Sequence, residues 1–316
     1  MNLPKFQISK TGWPWNADVE PLPEKLLDGS PWPRISVVTP SFNQGLFIEE
    51  AIRSVLLQGY PNLEFIIIDG GSTDNTLEII KKYEPWLSYW VSEPDRGQGH
   101  AINKGIKKAT GEILFWLNSD DIVLPGAFRI VAKAFKANPK VSIVSGQAQV
   151  IDEKGKVTGK LKSYFESWEE LITNPGNSIR QISTFFRRSL FKNIGMVDET
   201  FYISMDTDLL SRFTRYHEPL VIDVDLATFR VQYNAKTSNQ LLLGYQETDK
   251  HRLELLCGHL LQKYRQRSSS NWIHLANSGN FHKQQNLFCL KNAFKVNKKI
   301  IFKRKFWRFL FFELSS

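Results

Sequence analysis

From Arg34 to Gly146 the chain alternates between two hydrophobic patterns. One is the short apolar run without polar alternation: "RISVVTPSF", "LEFIIIDGGS", "LSYWVSEPD", "EILFWL" (112–117) and "VSIVSG" (141–146). Such runs predict strands buried on both faces. The other has helical spacing. In "GLFIEEAIRSVLLQGY" the apolar residues Phe47, Ile48, Ala51, Ile52, Val55 and Leu56 share one face, and Gly59 suits a C-cap. Further helices are predicted in "STDNTLEIIKKY", where Ser72, Thr73 or Asp74 caps the start, in "GQGHAINKGIKKATG" before Gly111, and over about 125–137 behind Pro125. Strand and helix alternating at this pitch predict an α/β fold, a mostly parallel Rossmann-like sheet with helices on both faces.

After 147 the pattern loosens. "QVIDEKGKVTGKL" predicts a hairpin around Glu153-Lys154-Gly155, "SWEELITN" a short helix, and "DTDLLSRFTRY" a helix opening with two acids. "PLVIDVDLATFRV" predicts a strand pair or one long strand. From about 244 the chain reads as a helical extension. Residues 1–33 hold six prolines and three tryptophans, which predicts an extended arm strapped to the body by Trp13, Trp15 and Trp32. The expected organisation is an arm (1–33), a catalytic α/β domain (34–243) and a basic helical extension (244–316).

Charge sharpens this division. Fourteen Lys and Arg stand against two acids between Lys250 and Ser316, so the net charge of +9 is carried by the last part and the first 249 residues are slightly acidic. "NKKIIFKRKFWRFLFFELSS" places Phe302, Phe306, Phe309 and Leu310 near one helical face with Lys303, Lys305 and Arg308 largely off it. That predicts either a helix docked on the body or one lying on an anionic membrane surface. Nucleic acid is not expected as a partner, because the acidic loops of the body would repel its phosphates. Cys257 and Cys289 match no metal spacing and read as buried free thiols, which fits a reducing cytoplasm. No run of about 18–20 apolar residues or secretory leader is visible. The expected location is therefore cytoplasmic, peripheral at the inner face of the cell membrane if the tail binds lipid.

The candidate chemistry sits where strands end, because ligands of such sheets bind at the carboxyl edge. Asp69, Asp95 and the pair Asp120-Asp121 all fall there. Two adjacent carboxylates in a cleft repel each other unless a cation joins them, and Mg²⁺ typically takes one or two carboxylates plus substrate phosphates. Glycines in Asp69-Gly70-Gly71-Ser72 let a ligand approach the backbone, and Asp69 is placed to bind a ribose or a base N–H. Neither a Walker lysine motif nor Gly-x-Gly-x-x-Gly is present, which argues against P-loop and dinucleotide enzymes.

"ISVVTPSFNQ", "IIIDGGSTDNT", "SEPDRGQGHAINKGIKKATGEI" and "WLNSDD", in this order, resemble the family-2 inverting glycosyltransferases of the A-type fold over about residues 34–240. The resemblance implies transfer of a sugar from a nucleotide-diphosphate donor to a saccharide or lipid-linked acceptor, in cell-surface or exopolysaccharide synthesis. It places Thr39, Pro40 and Asp69 at the nucleoside, and Asp95 among the donor-binding residues. Asn118, Asp120 and Asp121 would form the acidic motif holding Mg²⁺ or Mn²⁺, with Asp121 favoured as ligand and Asp120 on metal or ribose. Asp206 takes the position of the catalytic base, with Asp208 as its support and an N-cap as the simpler alternative. Gln181 would touch donor sugar or acceptor, and Arg230 and Lys236 would be among the donor-binding residues. Gln232 stands where relatives often have histidine, Gly70 where many have a second acid, and Ile102 where many have arginine, leaving Lys104 or Arg96 to replace that cation. A catalytically silent sugar-nucleotide-binding relative is the alternative, against which the retained acids weigh.

Overall fold

The structure is a computed structural model, and it describes residues 3–4, 11–15, 21–174, 178–232, 240–276 and 283–297. Lys236 and the basic segment from 298 onward lie outside the described residues.

The chain divides into two compact units, one of residues 1–165 with 179–235 and one of 166–178 with 236–316. The arm thus belongs to the first unit, and the helix of "SWEELITN" goes with the C-terminal helices instead of the catalytic domain. In the first unit, strands β1 (Ile35–Ser41), β2 (Leu63–Asp69), β3 (Tyr89–Ser92) and β4 (Ile113–Trp116) form a wholly parallel block in the order β3-β2-β1-β4. Helices α1 (Ile48–Leu56), α2 (Thr76–Tyr83) and α3 (Gln98–Lys108) connect them. β5 (Ile122–Val123) and α4 (Ala127–Ala137) follow.

Beyond β4 the sheet becomes mixed. β6 (Ile143–Ile151) and β8 (Thr184–Arg187) run antiparallel, β8 inserts between β4 and β6, and the short α6 (Ser189–Asn193) follows it. β7 (Val157–Leu161) forms the expected hairpin with β6. β9 is one long strand (Leu220–Arg230), parallel to β6 and antiparallel to β5. Phe115 of β4 stacks on Phe185 of β8 at 4.1 Å between centroids, with Phe128 of α4 edge-on to both. Burying these rings together is what makes the insertion of β8 favourable.

The arm is strapped by its tryptophans. Trp13 Nε1 donates to Val123 O at 2.8 Å, Trp15 is buried with the Arg53 guanidinium 5.2 Å from its ring, and Trp32 packs edge-on to Tyr60.

The amino-terminal edge of the sheet is held by a buried carboxylate. Glu64 accepts from Ser36 Oγ (2.5 Å), Thr110 N (2.7 Å), Thr110 Oγ1 (2.7 Å) and Arg34 Nη2 (3.0 Å). Burial alone would raise its pKa, but the hydrogen bonds from Ser36 and Thr110 outweigh that and hold it below the ordinary glutamate range. Glu64→Gln is expected to destabilise the fold by about 1–3 kcal/mol at pH 7, since an amide leaves one of these donors unpaired. A depressed folded pKa contributes stability above the unfolded value and loses it as pH falls. Denaturant titrations should therefore show the difference from wild type shrinking below about pH 4.

The second unit contains α5 (Trp168–Thr173), capped by Ser167 Oγ, with α8 (Leu241–Leu255), α9 (Gly258–Ala276) and α10 (Lys283–Val296). Trp272, Cys289, Leu290 and Ala293 form its core. Buried Asp249 accepts from Tyr264, Ser268 and Trp272, each at 2.5 Å. Cys289 is buried as expected, whereas Cys257, at the break between α8 and α9, is exposed. No helix among the described residues is long and apolar enough to cross a membrane.

Candidate active site

β1, β2, β3 and β4 all end on one rim, and the loops leaving them are locked to one another. Asp69 closes β2 with no exposed surface. Its Oδ2 accepts from Gly71 N (3.1 Å), Ser72 N (2.9 Å) and Ser92 Oγ (2.7 Å), and its Oδ1 from Ser72 Oγ (2.5 Å). Asp69, which the sequence offered to a ribose or base, ties the ends of β2 and β3 together, with both of its oxygens accepting from the scaffold. Thr39 and Pro40 likewise lie buried within β1. The surface of this loop begins one step later, at Phe42, whose side chain is 58% exposed. Asn43 follows at φ +51°, a left-handed conformation that asparagine tolerates. It fixes the loop by donating from its N–H to Ser72 Oγ at 2.7 Å and accepting from Thr73 N at 2.8 Å.

The Asn118–Asp121 turn separates the two neighbouring acids. Asp121 is 1% exposed, and both of its oxygens serve the scaffold: Oδ1 accepts from Arg230 N (2.9 Å) and Oδ2 from Asn118 Nδ2 (3.1 Å). Asn118 Oδ1 in turn accepts from Trp116 Nε1 (2.9 Å) and Gln98 Nε2 (3.0 Å). Asp120 is partly exposed, and Gln232 Nε2 orients its Oδ2 from 2.6 Å. Burial pushes both carboxyls above the ordinary aspartate range, and Asp121 further through the charge of Asp120. Arg230 is the nearby cation, and its guanidinium donates to Asp120 O (2.8 Å), the carbonyls of Asp152 and Glu153 (3.1 and 3.2 Å) and the Glu50 carboxylate (2.5 Å). It is a buried hub stacked 4.9 Å from the Phe47 ring, so the arginine expected at the donor is turned into the scaffold.

Gln181 is 7% exposed and donates through Nε2 to Trp116 O at 2.6 Å. It joins the segment before β8 to the end of β4 and brings its neighbour Arg180 to the rim. Arg180 Nε is buried without a hydrogen-bond partner among the described residues. Burial lowers its pKa, opposed by the charges of Tyr164 and Asp206.

Asp206 lies in the first turn of α7 (Met205–Thr214), one residue inside the helix rather than at its cap, Ser204. Its Oδ1 accepts from Thr207 N at 2.7 Å. The side chain keeps a path to solvent, yet it is enclosed closely enough that burial raises its pKa, against the Thr207 hydrogen bonds and the Arg180 charge. Asp208 does not support it. Residues two apart on a helix face different ways, and Asp208 is buried in an ion pair with Arg212 (2.7 Å). α7 itself is held from behind by Phe213, edge-on to Phe186 and Phe191.

Of the cations proposed for the missing arginine, Lys104 is paired with Asp95 (2.5 Å) and Glu93 (2.9 Å), and Arg96 with Glu199 (2.6 Å). Arg180, Gln232 and Phe42 also stand at this rim, though sequence reasoning missed or discounted them. Only Gln232 had a signal, its place opposite a histidine of relatives. No cluster of three or more His, Cys, Asp or Glu suited to a metal exists among the described residues.

The chain is similar to known proteins in sequence and in fold. The family model for glycosyl transferase family 2 matches residues 36–205. An uncharacterised glycosyltransferase of Rickettsia typhi is 30% identical over 221 residues, 68% of this chain and 69% of its own. The poly-β-1,6-N-acetyl-D-glucosamine synthase of Staphylococcus epidermidis is 30% identical over 173 residues, which cover 52% of this chain but only 42% of the synthase. Among solved structures, S. aureus TarS 1–349 in complex with UDP-GlcNAc shares the fold with a TM-score of 0.61 at 18% identity, covering 83% of this chain and 81% of that one. The mannosyltransferase PcManGT from Pyrobaculum calidifontis, in complex with GDP-Man and Mn²⁺, superposes with a TM-score of 0.55 at 18% identity, covering 94% and 89%. The fold is the A-type glycosyltransferase fold, and the chain belongs to glycosyltransferase family 2.

Proposed function

We propose that this glycosyltransferase moves a sugar, with inversion, from a nucleoside-diphosphate donor to an acceptor hydroxyl, using Asp206 as general base and Asp120 to hold a divalent cation. The observation that carries this reading is the acid pair, two adjacent carboxylates pushed up by burial, Asp121 further by the charge of Asp120, beside an arginine whose guanidinium turns to Asp120 O, the carbonyls of Asp152 and Glu153, and Glu50. With so few acids at hand, the residues fit an ion that takes one or two protein carboxylates and completes its shell with phosphate and water, as Mg²⁺ or Mn²⁺ does. Asp120 replaces Asp121 as the favoured ligand, because Asp121 has both oxygens committed to Arg230 and Asn118.

The bound cation would neutralise charge on the departing diphosphate. Gln232 holds the Asp120 carboxylate in one orientation. Asp206 takes the proton of the acceptor hydroxyl as the acceptor oxygen bonds to the anomeric carbon and the bond to the diphosphate breaks. Its raised pKa makes it a stronger base than a solvated aspartate. The Thr207 N–H and the Arg180 charge limit that rise.

The glucosamine-polymer synthase among the relatives supports a role in assembling cell-surface polysaccharide. The basic, aromatic segment 297–316 supports attachment at the inner face of an anionic membrane. The test is a thermal-shift and calorimetric panel of nucleoside diphosphates on the full chain, with and without Mn²⁺. Stabilisation that requires the metal is expected. Binding that is equally tight after chelation removes the metal assignment, and no binding under either condition removes the donor assignment.

A further inference from the structure

The loops leaving β2 and β3 meet over Gly70. A Cβ at Gly70 would lie 3.4 Å from Asp95 Oδ2 and 3.4 Å from Phe42 Cδ2, so both border the space that a side chain there would fill. The Asp95 side chain is 7% exposed. Its Oδ1 is ion-paired with Lys104 Nζ at 2.5 Å and lies 3.0 Å from His100 Nδ1. Its Oδ2 is buried and has no hydrogen-bond donor among the described residues. A buried carboxylate oxygen without a donor is a costly feature that calls for a missing partner. At the end of β1, Ser41 Oγ is a second buried polar atom without a partner. Phe42 offers an exposed aromatic face on a loop fixed by Asn43, Ser72 and Asp74.

An aromatic face, a vacant glycine and a carboxylate oxygen waiting for a donor together describe a seat for a flat heterocycle with a ring N–H. We propose that Asp95 reads the donor's base, and that the base is uracil. This rests on the reading of the rim as a nucleoside-diphosphate site and adds the base to it. Adenine and cytosine present a ring acceptor where a carboxylate needs a donor. Guanine presents two donors side by side, which match two carboxylate oxygens, but Lys104 already occupies one of the two. Uracil offers a single N3–H between two carbonyls, one donor for one free oxygen. Phe42 borders the oxygen and is more than half exposed, so its rotation uncovers Oδ2 and leaves the ring stacked on the base.

The experiment is isothermal calorimetry on the full chain with Mn²⁺, using UDP, its N3-methyl derivative, GDP, ADP and CDP. UDP is expected to bind tightest, with N3-methyl-UDP at least about 10-fold weaker, because the methyl group removes the donor that Asp95 accepts. In Asp95→Ala the two uridine nucleotides should differ by less than about threefold, within the scatter expected once a specific hydrogen bond is gone. Phe42→Ala should weaken all four unmodified nucleotides alike. The methylated probe acts on the unaltered protein, so a misfolded variant does not blunt the test. Equal binding of UDP and N3-methyl-UDP, tighter binding of GDP than UDP, or discrimination that survives Asp95→Ala each overturns the assignment of the base. If every nucleotide binds with metal regardless of base, only this inference fails. If none binds, the donor site itself is misplaced.

Discussion

Asp206→Asn is expected to lower kcat by about 10²- to 10⁴-fold, the usual contribution of a positioned general base. Donor affinity should stay within about twofold, because the donor's diphosphate is assigned to Asp120 at the end of a different element. The asparagine keeps the shape of the aspartate and can still accept from Thr207 N, so α7 is preserved. What it cannot do is take a proton. The acid limb of the pH–rate profile carries a second signature. Burial raises Asp206 above the ordinary aspartate range, so wild-type activity should fall with acid at a higher pH than a solvated aspartate would impose. Arg180 opposes that rise, and Arg180→Gln should therefore move the limb to still higher pH. A transfer rate unchanged in Asp206→Asn, or an acid limb indifferent to Arg180, would remove the base from this position.

Much of the fold could be read along the chain, for reasons visible in the structure. β1, β2 and β4 are buried on both faces, so their sequences are unbroken apolar runs, and their order of appearance with α1, α2 and α3 dictates a parallel block. The hairpin of β6 and β7 was legible from its turn, where Asp152 Oδ1 accepts from the N–H groups of Lys154 and Lys156. The insertion of β8 between β4 and β6 was not. It depends on Phe115 meeting Phe185, a pairing of residues far apart that no local pattern announces. The placement of α5 with the C-terminal helices depends similarly on Glu170 meeting Lys263 and Arg267.

The rim was legible as a place and illegible as a set of roles. Asp69, Asp95, Asp120 and Asp121 do stand at strand ends on one edge, as the spacing required. Sequence position does not say which way each carboxylate turns. Asp69 turns inward onto Gly71, Ser72 and Ser92 and becomes scaffold. Asp121 turns inward onto Arg230 N, while its neighbour Asp120 turns towards Gln232. Arg230, an arginine in a promising motif, is consumed by carbonyls and Glu50. Gln232 carries no charge, and what it does becomes visible only once β9 brings it beside Asp120.

Asp120→Asn should make the protein more stable and abolish its metal-dependent binding, two effects of one lost charge. Both carboxyls of the pair have folded pKa values raised above their ordinary ones, so the folded state binds protons that the unfolded state releases. For such groups, the favourable contribution is complete below the unfolded pKa and is lost as pH rises through the folded one. Wherever both carboxyls are ionised, the wild type carries the cost of holding two adjacent negative charges. Removing one should stabilise it by about 1 kcal/mol, in line with other relieved functional sites, or about 2–4 °C in melting temperature. Below about pH 4, where both acids are protonated in either state, the gain should vanish. Asp121→Asn should do the reverse. Its two oxygens serve two donors, Arg230 N and Asn118 Nδ2, and an amide there sets its own N–H groups against one of them, a loss of about 1–3 kcal/mol. Melting curves from pH 4 to 8, with and without Mn²⁺ and a nucleoside diphosphate, separate the two variants. Metal-dependent stabilisation that persists in Asp120→Asn, or a melting temperature lower than wild type at neutral pH, would mean that the charge at 120 is compensated within the chain and that no cation is needed there.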